Sequence, residues 1–178
     1  MKLITEHWQG FIAVLALLAS SISTIISFYT FRLQRTHNIK SVKPIIQIGQ
    51  WDYENVLYVT LVNLGAGLAL IKSISVLNKT DEIENSIYDW LPKKLPDNIN
   101  YKEYWTGYKD FVIQPSQIIK LVEIPFDTSK PEQVNCREEI RAILRQLTVK
   151  VIYEDIYENE MPKKEMELFH FSRTDNVN

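Results

Sequence analysis

The residues best suited to ligand chemistry form an aromatic segment at positions 88–111, YDWLPKKLPDNINYKEYWTGYKDF. This aromatic segment holds seven of the chain's twenty aromatic residues, interleaved with lysines. Aromatic faces can stack on a nucleotide base while lysines neutralise a phosphate, and the same side chains suit contact with a protein. The candidate contact residues for such a ligand or partner are Trp90, Lys93, Lys94, Tyr101, Tyr104, Trp105 and Tyr108.

The aromatic segment has a second interpretation, in which its rings serve packing alone. Four rings would then form one face of a short helix or an irregular crossover: Tyr101, Tyr104, Trp105 and Tyr108. Gly107 disfavours a long helix at this position. A crossover with so many large rings and with prolines does not bury all of them, so we predict that Trp90 or Trp105 is at least partly exposed.

The remaining residues form no catalytic arrangement, so we expect neither enzyme activity, nor a metal, nor a cofactor. His7 and His37 flank a long apolar run at opposite ends, which prevents a cluster with His170 in one subunit. The stretch GAGLAL begins like a dinucleotide fingerprint, but Leu70 stands at its sixth position and β-branched residues follow. The formal net charge of −2 gives no strongly basic field, so no double-stranded nucleic acid is expected as a partner.

The elements that must position these residues begin with the apolar run at positions 11–31, FIAVLALLASSISTIISFYTF, which contains no charge. As a helix, about 20 residues rise about 30 Å, which is the thickness of a bilayer's hydrocarbon core. A cleaved signal peptide would have a shorter apolar core and a small-residue cleavage site beyond it. We therefore predict a transmembrane helix at 11–31, after an extracytoplasmic tail at 1–10 and before a basic juxtamembrane linker at 32–43.

Basic residues are concentrated on one side of the predicted span. Four of them follow it closely: Arg32, Arg35, Lys40 and Lys43. Because positive flanks stay inside, we predict a single-pass protein of the inner (cytoplasmic) membrane, with its N-terminus outside and its soluble domain in the cytoplasm. The lone Cys136 agrees, since secreted domains of this size more often carry paired cysteines. The first expected partner is the lipid bilayer, whose anionic headgroups the linker would contact.

Small residues recur through the span at intervals of three and four. This stripe consists of Ala13, Ala16, Ser20, Ser23, Ser27 and Thr30. The spacing keeps one face towards a partner in a left-handed helical pair, and small residues let helix backbones approach closely in lipid. We predict a homo-oligomer formed through the transmembrane helix. Chance is the alternative explanation, because Ala19, Ser21 and Thr24 are small residues that lie off the stripe.

The chain from 44 to 172 has a period of mostly two, which indicates strands. Segments rich in Ile, Val, Tyr and Thr predict strands at 44–51, 55–63, 68–77, 110–114, 117–126, 147–155 and 165–172. Apolar residues at helical spacing predict one short helix within 130–147, with Pro131 near its start. About seven strands and one helix predict a mainly β domain built as a two-sheet sandwich, followed by a C-terminal tail at 173–178.

Two turn motifs carry a resemblance to known proteins. They lie in VNLGAGLALIKSISV and VKVIYEDIYENEM, and their defining residues are Asn63, Gly65, Gly67, Tyr153, Asp155 and Asn159. Together with a span and a basic linker, these motifs resemble poorly characterised bacterial membrane proteins that carry an immunoglobulin-like β-sandwich in the cytoplasm. The resemblance implies that fold for residues 44–172. Since some members of the group lie in antiviral gene neighbourhoods, it also implies a role in bacterial antiviral defence.

We predict that both turns are structural. Gly65 and Gly67 are expected to adopt positive φ in a hairpin or sheet-changing turn, with Asn63 bonding to exposed backbone. In the second turn, Glu158 stands where the resembled group commonly has a glycine.

Two functions follow from these patterns and remain open. In the first, the cytoplasmic sandwich is a sensing or docking module whose engagement alters the packing of the membrane helices, as in a signal-responsive membrane effector or accessory factor. In the second, the chain is a passive anchor and scaffold that holds a cytoplasmic partner at the membrane. A small nucleotide is the ligand expected for the first function, and a cytoplasmic protein is the partner expected for the second.

Overall fold

The computed structural model describes residues 2–80, 82–96, 99–107 and 110–172, and it divides into two units at Ser41 and Val42. The first unit is helix α1, Lys2–Ser41. Among the described residues, one helix is long and apolar enough to cross a membrane, and the stretch that meets this test is Gly10–Ser41. The helix continues through most of the basic juxtamembrane segment, so Arg32, Arg35 and Lys40 are helical residues.

Hydroxyl groups within α1 are bonded inside the helix itself. Within the apolar run, the carbonyl four residues earlier accepts a hydrogen bond of 2.8 to 2.9 Å from each of Ser21, Ser23, Thr24, Ser27 and Thr30. Such back-bonding satisfies a hydroxyl that has no water to bond. Residues on and off the small-residue stripe behave alike in this respect.

The second unit contains two antiparallel sheets. The front sheet has the order β1-β2-β7-β5. Its strands are β1 Ile46–Tyr53, β2 Val56–Asn63, β5 Glu103–Tyr104 and β7 Ile118–Pro125. A tight turn at residues 54 and 55 joins β1 to β2, and the register pairs Trp51 with Tyr58.

The back sheet has the order β4-β3-β8-β9, with β6 also paired to β3. Its strands are β3 Ala69–Asn78, β4 Ile83–Glu84, β6 Phe111–Ile113, β8 Leu147–Glu154 and β9 Lys164–Glu167. The helical elements of this unit are α2 Ile87–Trp90, α3 Pro131–Leu144 and a 3-10 turn at Phe169–Ser172.

One hydrophobic core joins the two sheets and α3. It includes Ile48, Leu57, Val59 and Leu61 from the front sheet, Ile71, Val76, Val149 and Val151 from the back sheet, and Ile140 and Leu144 from α3. Alternate residues point inward along the first part of β1 and along the whole of β8, as the period of two predicts. The domain is therefore a mainly β structure of two sheets with a helix over the shared core.

Each of the seven predicted strand segments overlaps an observed strand, and the predicted helix is α3. The segment at 165–172 differs from the prediction, because β9 ends at Glu167 and the chain then turns into the 3-10 helix. The two-residue strands β4 and β5 were not predicted. They form by pairing with the long strands β3 and β7, so their own sequences carry little strand pattern.

Candidate functional site

The aromatic segment packs much of its ring surface against the domain. Trp90, Tyr101 and Trp105 are half-buried and contact the core, which confirms that neither tryptophan is fully buried. The Trp105 and Phe111 ring centroids are 4.4 Å apart. The Tyr101 hydroxyl donates to the Pro92 carbonyl at 2.6 Å, and burial raises the pKa of Tyr101. These rings serve packing first.

A smaller cluster in the same segment joins three tyrosines. The Tyr88 ring lies 4.3 Å from that of Tyr104 and 5.0 Å from that of Tyr101, measured between centroids. The Lys93 ammonium lies 3.9 Å from the centre of the Tyr88 ring and donates to the Tyr88 carbonyl at 2.7 Å. Lys93 is therefore engaged within the segment, while Tyr104 remains 46% exposed.

The other two predicted contact residues do not extend this cluster. Lys94 is exposed, and no ring contact within the described residues involves it. Tyr108 lies outside the described residues. The structure thus brings Tyr101, Tyr104 and Lys93 together around Tyr88, and it leaves Tyr104 as the most exposed of these rings.

A larger surface lies on the outer face of the front sheet, where the sequence analysis proposed no site. It is a groove of about 560 Å³, called here the aromatic groove, lined among others by Gly49, Trp51, Tyr58, Thr60, Ile118 and Lys120. This volume falls within the range of about 300–1,000 Å³ that is usual for small-molecule sites. Apolar and aromatic side chains with a few polar groups are also the usual lining of such sites.

Three rings form one wall of the aromatic groove and its continuation. Trp51 lies 6.2 Å from Tyr53 and 5.8 Å from Tyr58, and the two tyrosines are 6.0 Å apart, all between centroids. The ring planes are within 34° of parallel. Trp51 is 43% exposed and Tyr53 is 48% exposed. Three centroids at nearly equal distances cannot share one stacking axis, so the rings form a broad patch rather than a column.

Gly49 forms the floor of the aromatic groove. A Cβ atom at this position would lie 2.6 Å from Thr60 Oγ1 and 2.9 Å from Trp51 Nε1. These separations are too short for a side chain, so glycine allows the indole edge of Trp51 to lie across the strand. The indole N–H and the Thr60 hydroxyl therefore converge on the same part of the floor.

Charged residues on β7 and β5 border the groove. A β-bulge in β7 opposite β2 adds Leu121 to the inward face, which places Lys120 and Glu123 together on the outer face. Glu123 accepts hydrogen bonds from Lys120 and, at 3.2 Å, from Lys102. Lys120 also lies 3.8 Å from Glu103. Burial raises the pKa of Glu123, but the two lysine hydrogen bonds outweigh burial and hold its pKa below the usual range.

A buried ion pair fixes the end of β1 that carries the rings. Asp52 points inward between Trp51 and Tyr53, and it accepts hydrogen bonds from Arg141 and, at 3.1 Å, from Arg137 of α3. Only 5% of the Asp52 side chain and 6% of the Arg141 side chain are exposed. Arg137 also donates to the Tyr53 carbonyl at 2.8 Å. Because α3 holds the inward residue, its two aromatic neighbours are directed outward.

The first predicted turn is organised by Asn63, which is completely buried at the end of β2. Its Oδ1 accepts from the backbone N–H of Ile45 at 3.2 Å and of Gly65 at 3.0 Å. Its Nδ2 donates to the carbonyls of Gly67 at 2.7 Å and Ile113 at 3.1 Å. This arrangement, called here the Asn63 clasp, ties residues 42–45 to the domain.

The prediction that Gly65 and Gly67 adopt positive φ was wrong. Among the described residues the glycine with positive φ is Gly107, at 84°. A Cβ atom at Gly65 would instead collide with the backbone of residues 43–45, and one at Gly67 would collide with the carbonyl of Val42. Both positions need glycine because two backbone segments approach closely, and not because of their dihedral angles.

The second predicted turn is organised by the buried carboxylate of Asp155. It accepts from the backbone N–H of Tyr157 at 2.8 Å and of Asn159 at 2.9 Å, and from the Asn159 side chain. Burial raises the pKa of Asp155, but these hydrogen bonds outweigh burial and hold its pKa below the usual range. Glu158 has φ of 60°, the left-handed conformation in which glycine is usual. Tyr153 is buried beside this turn.

The aromatic groove was missed because period-two patterning assigns residues to two faces without saying which face is covered. A usable signal was the alternation of Trp51, Asp52 and Tyr53, with large aromatic residues on the face opposite to a charged one.

Searches with this chain against protein-family models, curated proteins and solved structures gave no match. The function is therefore inferred from the geometry of the groove and the Asn63 clasp.

Proposed function

We propose that this chain is a membrane-anchored sensing or docking module whose recognition surface is the aromatic groove. The observation that carries the proposal is an exposed, concave, aromatic surface on the same sheet that holds the residues following the membrane helix. Large exposed apolar surfaces on soluble faces mark sites of interaction. Binding without catalysis is the role that such a surface supports.

The strands of the groove suggest a route by which binding is sensed. Trp51 lies on β1 and Tyr58 on β2, and β2 ends at Asn63. The Asn63 clasp holds Ile45, which directly precedes β1. A ligand that changes the pairing or twist of β1 and β2 would therefore act on the chain between Val42 and Ile45. This shared pair of strands favours sensing over passive anchoring.

The proposed location is the inner membrane, with the domain in the cytoplasm. The basic residues at the C-terminal end of the span support this orientation. A reporter that works only in the cytoplasm should therefore be active when it is fused after Asn178. Activity of a periplasmic reporter at the same position would reverse the orientation.

Self-association through α1 is part of the proposal. Because stripe and off-stripe hydroxyls are bonded within the helix, association would depend chiefly on close packing of the small residues. Replacing Ala16, Ser20 and Ser23 with leucine should weaken association in a membrane two-hybrid assay. The matched replacements at Ala19, Ser21 and Thr24 should have little effect, and equal effects of the two sets would contradict a specific interface.

A passive scaffold remains the second candidate, favoured by Leu64 and Ile118 at one end of the groove. They are 59% and 62% exposed, which suits a lasting contact with a protein. The immunoglobulin-like topology and the antiviral setting belong to the same proposal and rest on the resemblance of the two turn motifs. Two antiparallel sheets over one core are compatible with that topology.

The experiment that tests the proposal is affinity purification of the full chain from native membranes. Proteins and small molecules that copurify would be identified by mass spectrometry. A Trp51→Ala, Tyr58→Ala double variant should lose the copurifying molecule, whereas Tyr157→Ala, at an exposed tyrosine outside the groove, should retain it. A small molecule would support sensing and a stoichiometric protein would support scaffolding. Identical recovery from all three chains would remove the groove from the function.

A further inference from the structure

We propose that the aromatic groove binds an uncharged heteroaromatic ring of the nucleobase type, with any attached phosphates outside the groove. This inference rests on the proposed function, in which the groove is the recognition surface. It names the class of ligand from three features of the site, namely its rings, its floor and its charges.

The rings favour a flat ligand. Trp51, Tyr53 and Tyr58 have centroids 5.8 to 6.2 Å apart and planes within 34° of parallel, so they offer a broad aromatic surface. Trp51 and Tyr53 are each more than two-fifths exposed, which leaves ring surface for contact. Stacking on such a surface is effective for every nucleobase, because each has a π face.

The floor favours a ligand with a polar edge. Thr60 Oγ1 and Trp51 Nε1 lie 2.6 and 2.9 Å from the position that a Cβ atom of Gly49 would take. A ring edge that reaches this floor meets an N–H donor and a hydroxyl that can donate or accept. A wholly apolar ligand would leave both groups without water, which is unfavourable.

The charges favour a neutral ring over a phosphate. Lys120 lines the groove, but it is bonded to Glu123 and lies 3.8 Å from Glu103. Glu123 is also hydrogen-bonded to Lys102, so the charges of two lysines and two carboxylates cancel at this edge of the groove. A phosphate would approach Lys120 against two carboxylates, and like-charge repulsion would offset the attraction. We therefore place the phosphates of a nucleotide in solvent.

The test measures binding of defined probes to the full chain in detergent, by equilibrium dialysis at low and high salt. The probes are adenosine, guanosine, cytidine and uridine, their 5′-monophosphates, and glucose as a sugar control. At least one nucleoside should bind, and its monophosphate should bind within about fivefold of it at either salt concentration. Trp51→Ala should weaken binding about tenfold or more, and Trp51→Phe should weaken it less. The control variant Tyr157→Ala, at an exposed tyrosine outside the groove, should bind as the parent does.

The contrary outcomes are distinct. Binding of monophosphates alone, with strong salt dependence, would identify an anion site and overturn the inference. Binding of glucose without nucleosides would assign another ligand class. If no probe binds while the groove variants still lose a copurified protein, the inference fails and the proposed function stands. If Trp51→Ala unfolds the chain, Trp51→Phe and Tyr58→Ala replace it, provided that their unfolding midpoints equal that of the parent. Unaltered nucleoside affinity in both of these variants would show that the rings do not bind the ligand, and would overturn the inference.

Discussion

The outer faces of the two sheets meet water in different ways. On the front sheet, Trp51 and Ile118 are 43% and 62% exposed and line a groove, and Tyr53 beside Trp51 is 48% exposed. On the back sheet, charged residues pair across strands, as Lys150 does with Glu165, and Lys72 lies 3.2 Å from Glu154. An antiparallel sheet commonly has one solvated polar face, which is what the back sheet shows. The front face departs from that pattern without any gain to the core, and this departure is the observation on which the proposed recognition role rests.

The largest expected effect concerns Asp52, which fixes the strand end that presents Trp51 and Tyr53. Asp52→Ala leaves two arginines of α3 without their buried carboxylate, so the free energy of unfolding should fall by about 3–5 kcal/mol. Denaturant unfolding of the full chain in detergent measures this loss. The matched change on the back sheet is Glu154→Ala, which removes a partly exposed ion pair with Lys72 and should lower stability much less. Equal losses of unfolding free energy in the two variants would mean that the ion pair of Asp52 stabilises β1 no more than a partly exposed pair stabilises the back sheet.

The next effect compares two asparagines at strand ends. Asn63→Ala in the front sheet removes four hydrogen bonds, three of them buried, and it should lower the free energy of unfolding by about 2–4 kcal/mol because several backbone groups lose their partner. Asn78→Ala in the back sheet removes an exposed bond to the N–H of Lys79. Thermal unfolding should show a clear fall in the midpoint for the first variant and a small one for the second. A small fall for both would show that the clasp is not required for folding.

The strands and α3 could be predicted from sequence because their pattern is local. Ile46, Ile48 and the alternate residues of β8 follow a period of two that any pleated strand would give. The function of Asn63 as a turn residue was also accessible, since asparagine bonds readily to nearby backbone. The reason for Gly67 was not, because its constraint is the carbonyl of Val42, which only the folded chain brings close.

The groove depends on contacts between residues that are distant in sequence. Asp52 and Arg141 are 89 positions apart, and no local pattern pairs them. The bulge that places Lys120 beside Glu123 arises from the register between β2 and β7, which the sequence of β7 alone does not specify. The aromatic segment shows the same limit, since its composition suits a ligand as well as packing, and only the fold shows that Tyr101 and Trp105 pack against the core.

Acid should affect carboxylates of both sheets in the same direction. The pKa values of Glu123 and Asp155 lie below their usual ranges in the folded chain, so each contributes stability above the unfolded pKa of about 4. That contribution is lost as the pH falls through the folded value. The unfolding midpoint should therefore decline below about pH 4. Glu123→Gln or Asp155→Asn should each make the decline shallower, and an unchanged slope in both variants would show that neither carboxylate is stabilised by its hydrogen bonds.

The smallest expected change in stability is at Ile118, and it sharpens the comparison of the two outer faces. Its side chain is 62% exposed, so Ile118→Ser removes little buried surface and should change the free energy of unfolding by less than about 0.5 kcal/mol. Recovery of the copurified molecule should nevertheless fall, because Ile118 lines the groove. Ile83→Ser, a 64% exposed position on the back sheet, should change neither quantity. A loss of stability at Ile118 alone would mean that another surface covers the front face in the folded protein, and a second copy would then be the first occupant to test by crosslinking.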